Sequence, residues 1–260
     1  MCPVLLHIYG PFAINAYGFF VAVGLIVALI LAKRDPRKQS LITDEQAITL
    51  LTGGVVAGIL GARILYFILE PERLTHWYDI FAFWEGGLTE LGSIIAVALF
   101  GTLYLRWHNI KALPLLDLAG TYAPILQGFA RIGCFFAGCC FGMPTQKPWA
   151  VMYTHPDSLA PLHMLLHPTQ IYTSLLFFIL FFILRYATAL FKRPGQIFAL
   201  YLMGASFIRF MTDFWRDDKV YYASGNSIVA ALTSYQWTAF ILFTIAFIGF
   251  LLSLRSTKPQ

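Results

Sequence analysis

Charge is what this sequence has least of. Asp, Glu, Lys and Arg together make up 12% of its residues, about half the share of a typical water-facing domain, so an ordinary soluble globular protein is excluded. No basic segment precedes the first apolar stretch, and the cluster Lys33, Arg34, Arg37 and Lys38 follows it instead. That order is the reverse of a cleavable secretory leader, and the first span is read as retained. No internal repeat is visible.

What the chain has is hydrophobic residue, 58% of the total, with a mean hydropathy of +0.69. Apolar stretches lie near 12–32, 46–69, 91–107, 113–130, 169–190, 196–215 and 236–254. Most approach the roughly 20 residues that cross about 30 Å of hydrocarbon, and the two shorter ones can tilt or kink. The expectation is an all-α integral membrane protein with about seven transmembrane helices. We expect a single polytopic domain over 1–260 with an external loop region at about 131–168, where Pro144, Pro148, Pro156, Pro161 and Pro168 mark an ordered loop or re-entrant excursion.

Cations set the orientation. Lys33 to Lys38, then Arg106 and Lys111, then Lys192 and Arg193, then Arg255 and Lys258 follow alternate spans, and short basic loops stay in the cytoplasm. The N-terminus is therefore expected outside and the C-terminus inside. The same rule accounts for the net charge of +5, so no nucleic acid is invoked as a partner. The lipid bilayer is.

Ionisable residues within spans are costly, roughly 2.5–3.5 kcal/mol each on insertion scales. Arg63, Arg131, Arg209 and Asp213 fall near the expected outer ends of their helices. Arg209, Asp213 and Arg216 follow i, i+4, i+7 spacing, one stripe on a helix. Each alone reads equally as an interface anchor with its charge snorkelling to water; four at one level favour a site. Tyr17 lies within the first span, whereas most other Tyr and Trp residues fall near span ends and read as an interfacial belt. Gly54, Gly58 and Gly61 are expected to line one packing face.

The densest stretch runs from Gly128 to Gly142 and contains Arg131, Gly133, Cys134, Gly138, Cys139, Cys140 and Gly142. Gly133, Gly138 and Gly142 are expected to break helical continuity and let backbone N–H groups approach a ligand. Arg131 adds a planar fork of donors suited to phosphate. The cysteines follow C-x4-C-C, not a strong zinc spacing. A disulfide between Cys134 and one of the pair, or a thiolate–imidazole metal site with His163 or His167, is open on these residues; we assign neither a metal nor a cofactor.

This stretch resembles the glycine- and arginine-rich signature of the prolipoprotein diacylglyceryl transferases of the bacterial inner membrane, in a form that carries cysteines. Ala16-Tyr17-Gly18, Gly61-Ala62-Arg63, Trp84-Glu85-Gly86-Gly87, His167-Pro168-Thr169-Gln170-Ile171-Tyr172 and Arg209 to Arg216 fall in that family's order. The resemblance implies transfer of diacylglyceryl from phosphatidylglycerol to the lipobox cysteine of a prolipoprotein signal peptide, with release of glycerol phosphate. It places Tyr17, Arg131, Gly142 and Arg209 on positions used for substrate binding or catalysis, and Asp213 where Glu is usual. Arg63, Gly133, Cys134, Gly138, Cys139 and Gln170 join the substrate side.

The departures fall on the proton side. Leu91 stands where the family usually has His, Thr173 where an acidic residue follows Tyr172, and Cys134 and Cys139 where many members have Asn and Glu. A thiol acceptor with a pKa near 8.5 needs a base or a field that lowers it. Glu90 and His167 are the candidate bases, although Glu90 also reads as a solvated loop charge and His167 as a helix-start packing residue. The rival readings are a paralogue serving another acceptor with diacylglyceryl or phosphoglycerol, and a non-enzymatic phospholipid transporter or binding protein.

Overall fold

Long helices form where the apolar stretches lie. The computed structural model describes residues 3–9, 12–73, 89–217, 219 and 232–255. The motif Trp84 to Gly87 lies outside the described residues. The chain is mostly helical, with two two-stranded sheets among the described residues and no closed one.

Among the described residues, four helices are long and apolar enough to cross a membrane: α1 (Ala16–Lys33), α3 (Asp44–Leu69), α6 (Thr169–Leu190) and α8 (Ser234–Arg255). The apolar part of α4 (Glu90–Trp107) is shorter, 17 residues from Leu91. The remaining long helices, α5 (Ala112–Ala137) and α7 (Gln196–Asp213), carry buried polar residues such as Asp117, Thr121, Ser206 and Asp213. A helix enclosed by others need not be apolar all round, which is why these two lose hydropathy without losing burial. The first apolar stretch is not helical throughout. Its start at 12–15 is β2 (Phe12–Asn15), paired antiparallel with β1 (Val4–Tyr9).

The chain folds as two compact units, residues 1–35 with 116–260, and 36–115. The second contains the short helix α2 (Pro36–Leu41), α3, a 3-10 turn at Pro71–Arg73 and α4. A capping box between Thr43 and Gln46 starts α3. Glycine lets α3 and α4 meet closely: a Cβ on Gly61 would lie 2.6 Å from Gly92 O, and one on Gly92 2.3 Å from Gly61 O. Gly58 faces Ser93 and Gly53 faces Phe100, whereas Gly54 faces open space. Gly54 shares the face of Gly58 and Gly61 by helical spacing, but nothing lies within 4 Å of it, so the close approach of α4 is made at Gly58 and Gly61.

In the first unit, α5 and α7 start at the same end. The buried Asp117 accepts from Gly195 N at 2.6 Å and Phe198 N at 2.8 Å, capping α7 with a carboxylate. Nearby α1 closes with Asp35, which accepts from Tyr122 Oη at 2.8 Å, and the Arg193 guanidinium donates to the carbonyls of Ser253 and Leu254 at the end of α8. The opposite end gathers the start of α1, the ends of α5 and α7, and the starts of α6 and α8. All the candidate residues of this unit lie there.

Candidate functional site

Three close approaches build the site. A Cβ on Gly133 would sit 3.0 Å from Tyr17 Cα and 3.1 Å from Tyr17 O, so this glycine sets the start of α1 directly against the end of α5. Contrary to the sequence expectation, Gly133 does not interrupt the helix; α5 runs unbroken to Ala137. Its end is Gly138, with φ +81°, and Cys140 at φ 58° turns the chain a second time. These left-handed residues fold the Cys139-Cys140 segment back over the helix end.

The third approach is at Gly142, where a Cβ would lie 2.6 Å from His167 O and 2.7 Å from Thr169 Cγ2. Gly142 N donates to His167 O at 3.1 Å, His167 N to Met143 O at 3.0 Å, and Met143 N to Trp215 O at 2.8 Å. The loop 138–168 is therefore ordered, as its prolines suggest, and it includes the pair β3 (Val151–Met152) and β4 (Leu165–Leu166). Its core is Tyr153, which is fully buried and donates to Phe135 O at 3.0 Å. Burial pushes the Tyr153 phenol up to about 12, so it stays a donor.

The start of α6 holds the turn in place. Gln170 Nε2 donates to Cys139 O at 2.8 Å and Thr169 Oγ1 to Cys140 O at 2.9 Å. Cys134, Cys139 and Cys140 are all free thiols, with sulfurs within 4.8 Å of one another; no disulfide joins them. Hydrogen bonds from the other two thiols, and then the charges of Arg216 and Arg131, hold Cys140 well below the usual thiol range. Its bonds to Cys134 and Cys140, and then burial, push Cys139 up.

Arg131 is half-buried within electrostatic reach of Tyr17, Cys134 and Cys140. Among the described residues no carboxylate pairs with it. Arg209 differs. Its guanidinium lies 3.4 Å from Asp213 Oδ1 and 4.1 Å from the centre of the Tyr235 ring. Asp213 is buried and also accepts from Thr233 Oγ1, whose backbone opens α8 through a reciprocal cap with Gln236. Arg216 does not extend that stripe as a helical residue. Helix α7 stops at Asp213, and Arg216 instead forms an antiparallel bridge with Gly142.

Two predicted residues belong to the other unit. Arg63 is buried on α3 with its guanidinium 4.7 Å from the Phe67 ring centre and 5.7 Å from that of Tyr66. Glu90 opens α4, and its side chain lies outside the described residues. Leu91, beside it, is 60% exposed.

The profile of the prolipoprotein diacylglyceryl transferases matches residues 3–252. The chain belongs to this family. It is 34% identical over 260 residues, the whole of both chains, to a phosphatidylglycerol–prolipoprotein diacylglyceryl transferase of Clostridium tetani. A protein of the same name from Tolumonas auensis is 32% identical over 99% of this chain and 96% of its own, and one from Thermotoga maritima 28% identical over 96% and 85%.

Within this transferase-family chain, sequence reasoning named two residues of the turn without giving them a place in the site. Arg216 and Cys140 were visible beside the selected residues, but their value depends on the turn at Gly138 and the bridge to Gly142, neither of which has a helical period. His167 was chosen as a base; its Nδ1 lies 3.1 Å from Tyr172 Oη, which also accepts from Trp149 Nε1 at 2.7 Å. Thr173 closes on its own helix, donating to Thr169 O at 2.7 Å.

Proposed function

We propose that this protein transfers the diacylglyceryl group of phosphatidylglycerol to the lipobox cysteine thiol of a prolipoprotein signal peptide, releasing glycerol phosphate. The observation that carries the reading is Arg131: a guanidinium at the end of α5, partly open, with no carboxylate partner among the described residues. A guanidinium in a partly dry site with no carboxylate partner among the described residues is suited to an anionic guest, and a planar fork fits phosphate oxygens two at a time. Family membership names the guest: the relatives' names specify phosphatidylglycerol as donor and prolipoprotein as acceptor.

The chemistry is displacement at the glyceryl carbon that bears the phosphate. The acceptor sulfur forms a bond to that carbon, the carbon–oxygen bond breaks, and glycerol phosphate leaves with the electron pair and a second negative charge. Arg131 stabilises that developing charge, the kind of term that usually dominates such reactions. Arg209, held by Asp213 and Tyr235, supplies a fixed donor whose own charge is already balanced. Tyr17, Gly133, Gly138 and Gly142 shape the backbone of the site, and the Gln170 amide holds the cysteine turn in place. Arg63 is assigned to the substrate side, and Glu90 and His167 are assigned to receive the thiol proton.

In this reading the chain is one polytopic domain of the bacterial inner membrane, crossing it seven times with the N-terminus and the site at the external face. Purified protein given labelled phosphatidylglycerol and a lipobox peptide tests the function directly, with products identified by mass. A thioether-linked diacylglyceryl peptide is expected. Transfer to a non-cysteine acceptor would decide for a paralogue, and labelled lipid bound but unchanged would decide for a binding protein.

A further inference from the structure

Cys134, Cys139 and Cys140 meet although nothing links them covalently, and the fold works to bring them together. Gly138 and Cys140 adopt left-handed backbone, and Gln170 and Thr169 fasten the carbonyls of Cys139 and Cys140. Their sulfurs lie within 4.8 Å of one another. Zinc with bonds of about 2.3 Å to sulfur needs its thiolates about 3.8–4.0 Å apart, so a small inward turn of the side chains completes a three-sulfur face.

We propose that these three cysteines seat a thiophilic divalent cation, zinc, whose fourth position takes the thiol of the acceptor cysteine and ionises it for attack on the lipid. The step rests on the transferase reading above. Three protein ligands with one position open is the arrangement of catalytic zinc, whereas structural zinc is closed by four.

Charge supports the seat. Three thiolates and a zinc ion leave one net negative charge, and two cations stand by the turn, Arg131 near the end of α5 and Arg216 bridged to Gly142. A second observation points to a guest: Gln170 is 1% exposed, yet its Oε1 has no hydrogen-bond partner. The other end of that amide grips Cys139 O, so the buried acceptor beside the turn is available to a metal-bound water or to an N–H of the incoming peptide. The seat also answers the chemical need left by Leu91. A metal-bound thiol is deprotonated outright, which removes the demand for a strong base at that position.

The step balances without an added oxidant or reductant. The acceptor thiol binds zinc and gives its proton to the base assigned above to receive it, which need be only a weak one. The zinc-bound sulfur then forms the carbon–sulfur bond as the carbon–oxygen bond breaks. The thioether product, a poorer ligand than thiolate, leaves zinc with its charge unchanged.

The test uses full-length protein in detergent, stripped with a chelator and then given zinc or cobalt(II) alone. About one zinc per chain is expected by elemental analysis, lost in Cys139→Ser and in Cys134→Ser. Wild-type protein with cobalt(II) should show a thiolate-to-metal charge-transfer band that grows when a lipobox peptide is added and not when its serine analogue is. Transfer should fall about tenfold or more in stripped protein, since only a few per cent of a free thiol is ionised at pH 7, and recover with zinc. Absence of the charge-transfer band in wild-type protein overturns the seat, and a band indifferent to the cysteine peptide overturns the fourth-ligand step. Undiminished transfer by stripped protein overturns the catalytic role and leaves the transferase reading standing. If neither form transfers while the peptide-sensitive band is present, the transferase reading falls and the metal seat stands.

Discussion

Two arginines that look alike in the sequence do different work at the level of single side chains. Arg131 has no carboxylate to lose among the described residues, so removing it withdraws a positive charge from the site without leaving a buried carboxylate unpaired. Arg131→Ala is expected to lower kcat/KM for lipid by about 10²-fold or more and to leave the melting temperature in detergent near wild type. Arg131→Lys should recover little, because a point charge does not reproduce a bidentate fork; wild-type kinetics in the lysine variant would reduce Arg131 to an interface anchor. Arg209 neutralises Asp213, which is 1% exposed. Truncating one partner of a buried pair costs about 3–5 kcal/mol. Thr233 still donates to Asp213, so Arg209→Ala should fall toward the low end of that range. It should lower thermal stability together with activity, and a stability scan separating the two variants checks this contrast.

Among the elements, the end of α5 decides the site, and it is where glycine has consequences a helical pattern does not reveal. Gly142→Ala sets a methyl group 2.6 Å from His167 O, a backbone atom that cannot swing away. Overpacking of that kind costs about 1–3 kcal/mol, so a lowered melting temperature and impaired transfer are expected. Gly249→Ala, on a helix face where nothing lies within 4 Å, should be tolerated; equal effects in the two variants would mean the loop does not pack as described. The same contrast explains what was legible beforehand. Helices α3, α4, α6, α7 and α8 begin or end within a few residues of the apolar stretches, because hydropathy and length control them directly. The expected break at Gly133 failed since a helix absorbs a glycine whose missing Cβ admits Tyr17, and the break came at Gly138, where φ is +81°. Neither the Gly142–Arg216 bridge nor the three-sulfur cluster has a periodic signature: the bridge joins residues far apart in the chain, and the cysteines, close in sequence, meet only because the chain turns at Gly138 and Cys140.

Across the whole molecule, polarity of the helices and placement of charge support the same orientation. In the first unit the end of α1, the starts of α5 and α7 and the end of α8 share one end, where Lys33, Arg34, Lys192 and Arg193 cluster. The other end holds Tyr17, the turn at Gly138, the ordered loop and the Arg209–Asp213 pair. Basic residues are retained on the cytoplasmic side during insertion, so the proposed orientation puts the first end in the cytoplasm and the candidate site at the external face. The second unit adds Lys38 and Lys111, each in a basic connection. Reporter fusions after Lys38, Lys111 and Arg193 should therefore read cytoplasmic, and fusions within 142–165 external. Four apolar helices alone would satisfy the hydropathy criterion, but if only those crossed, Lys111, after two crossings, and Arg193, after three, would lie on opposite faces. Matching cytoplasmic signals at both positions require another crossing between them, which α5 would provide by running from Ala112 to Ala137. Opposite signals at Lys111 and Arg193 would reduce the span count and move the site off the external face.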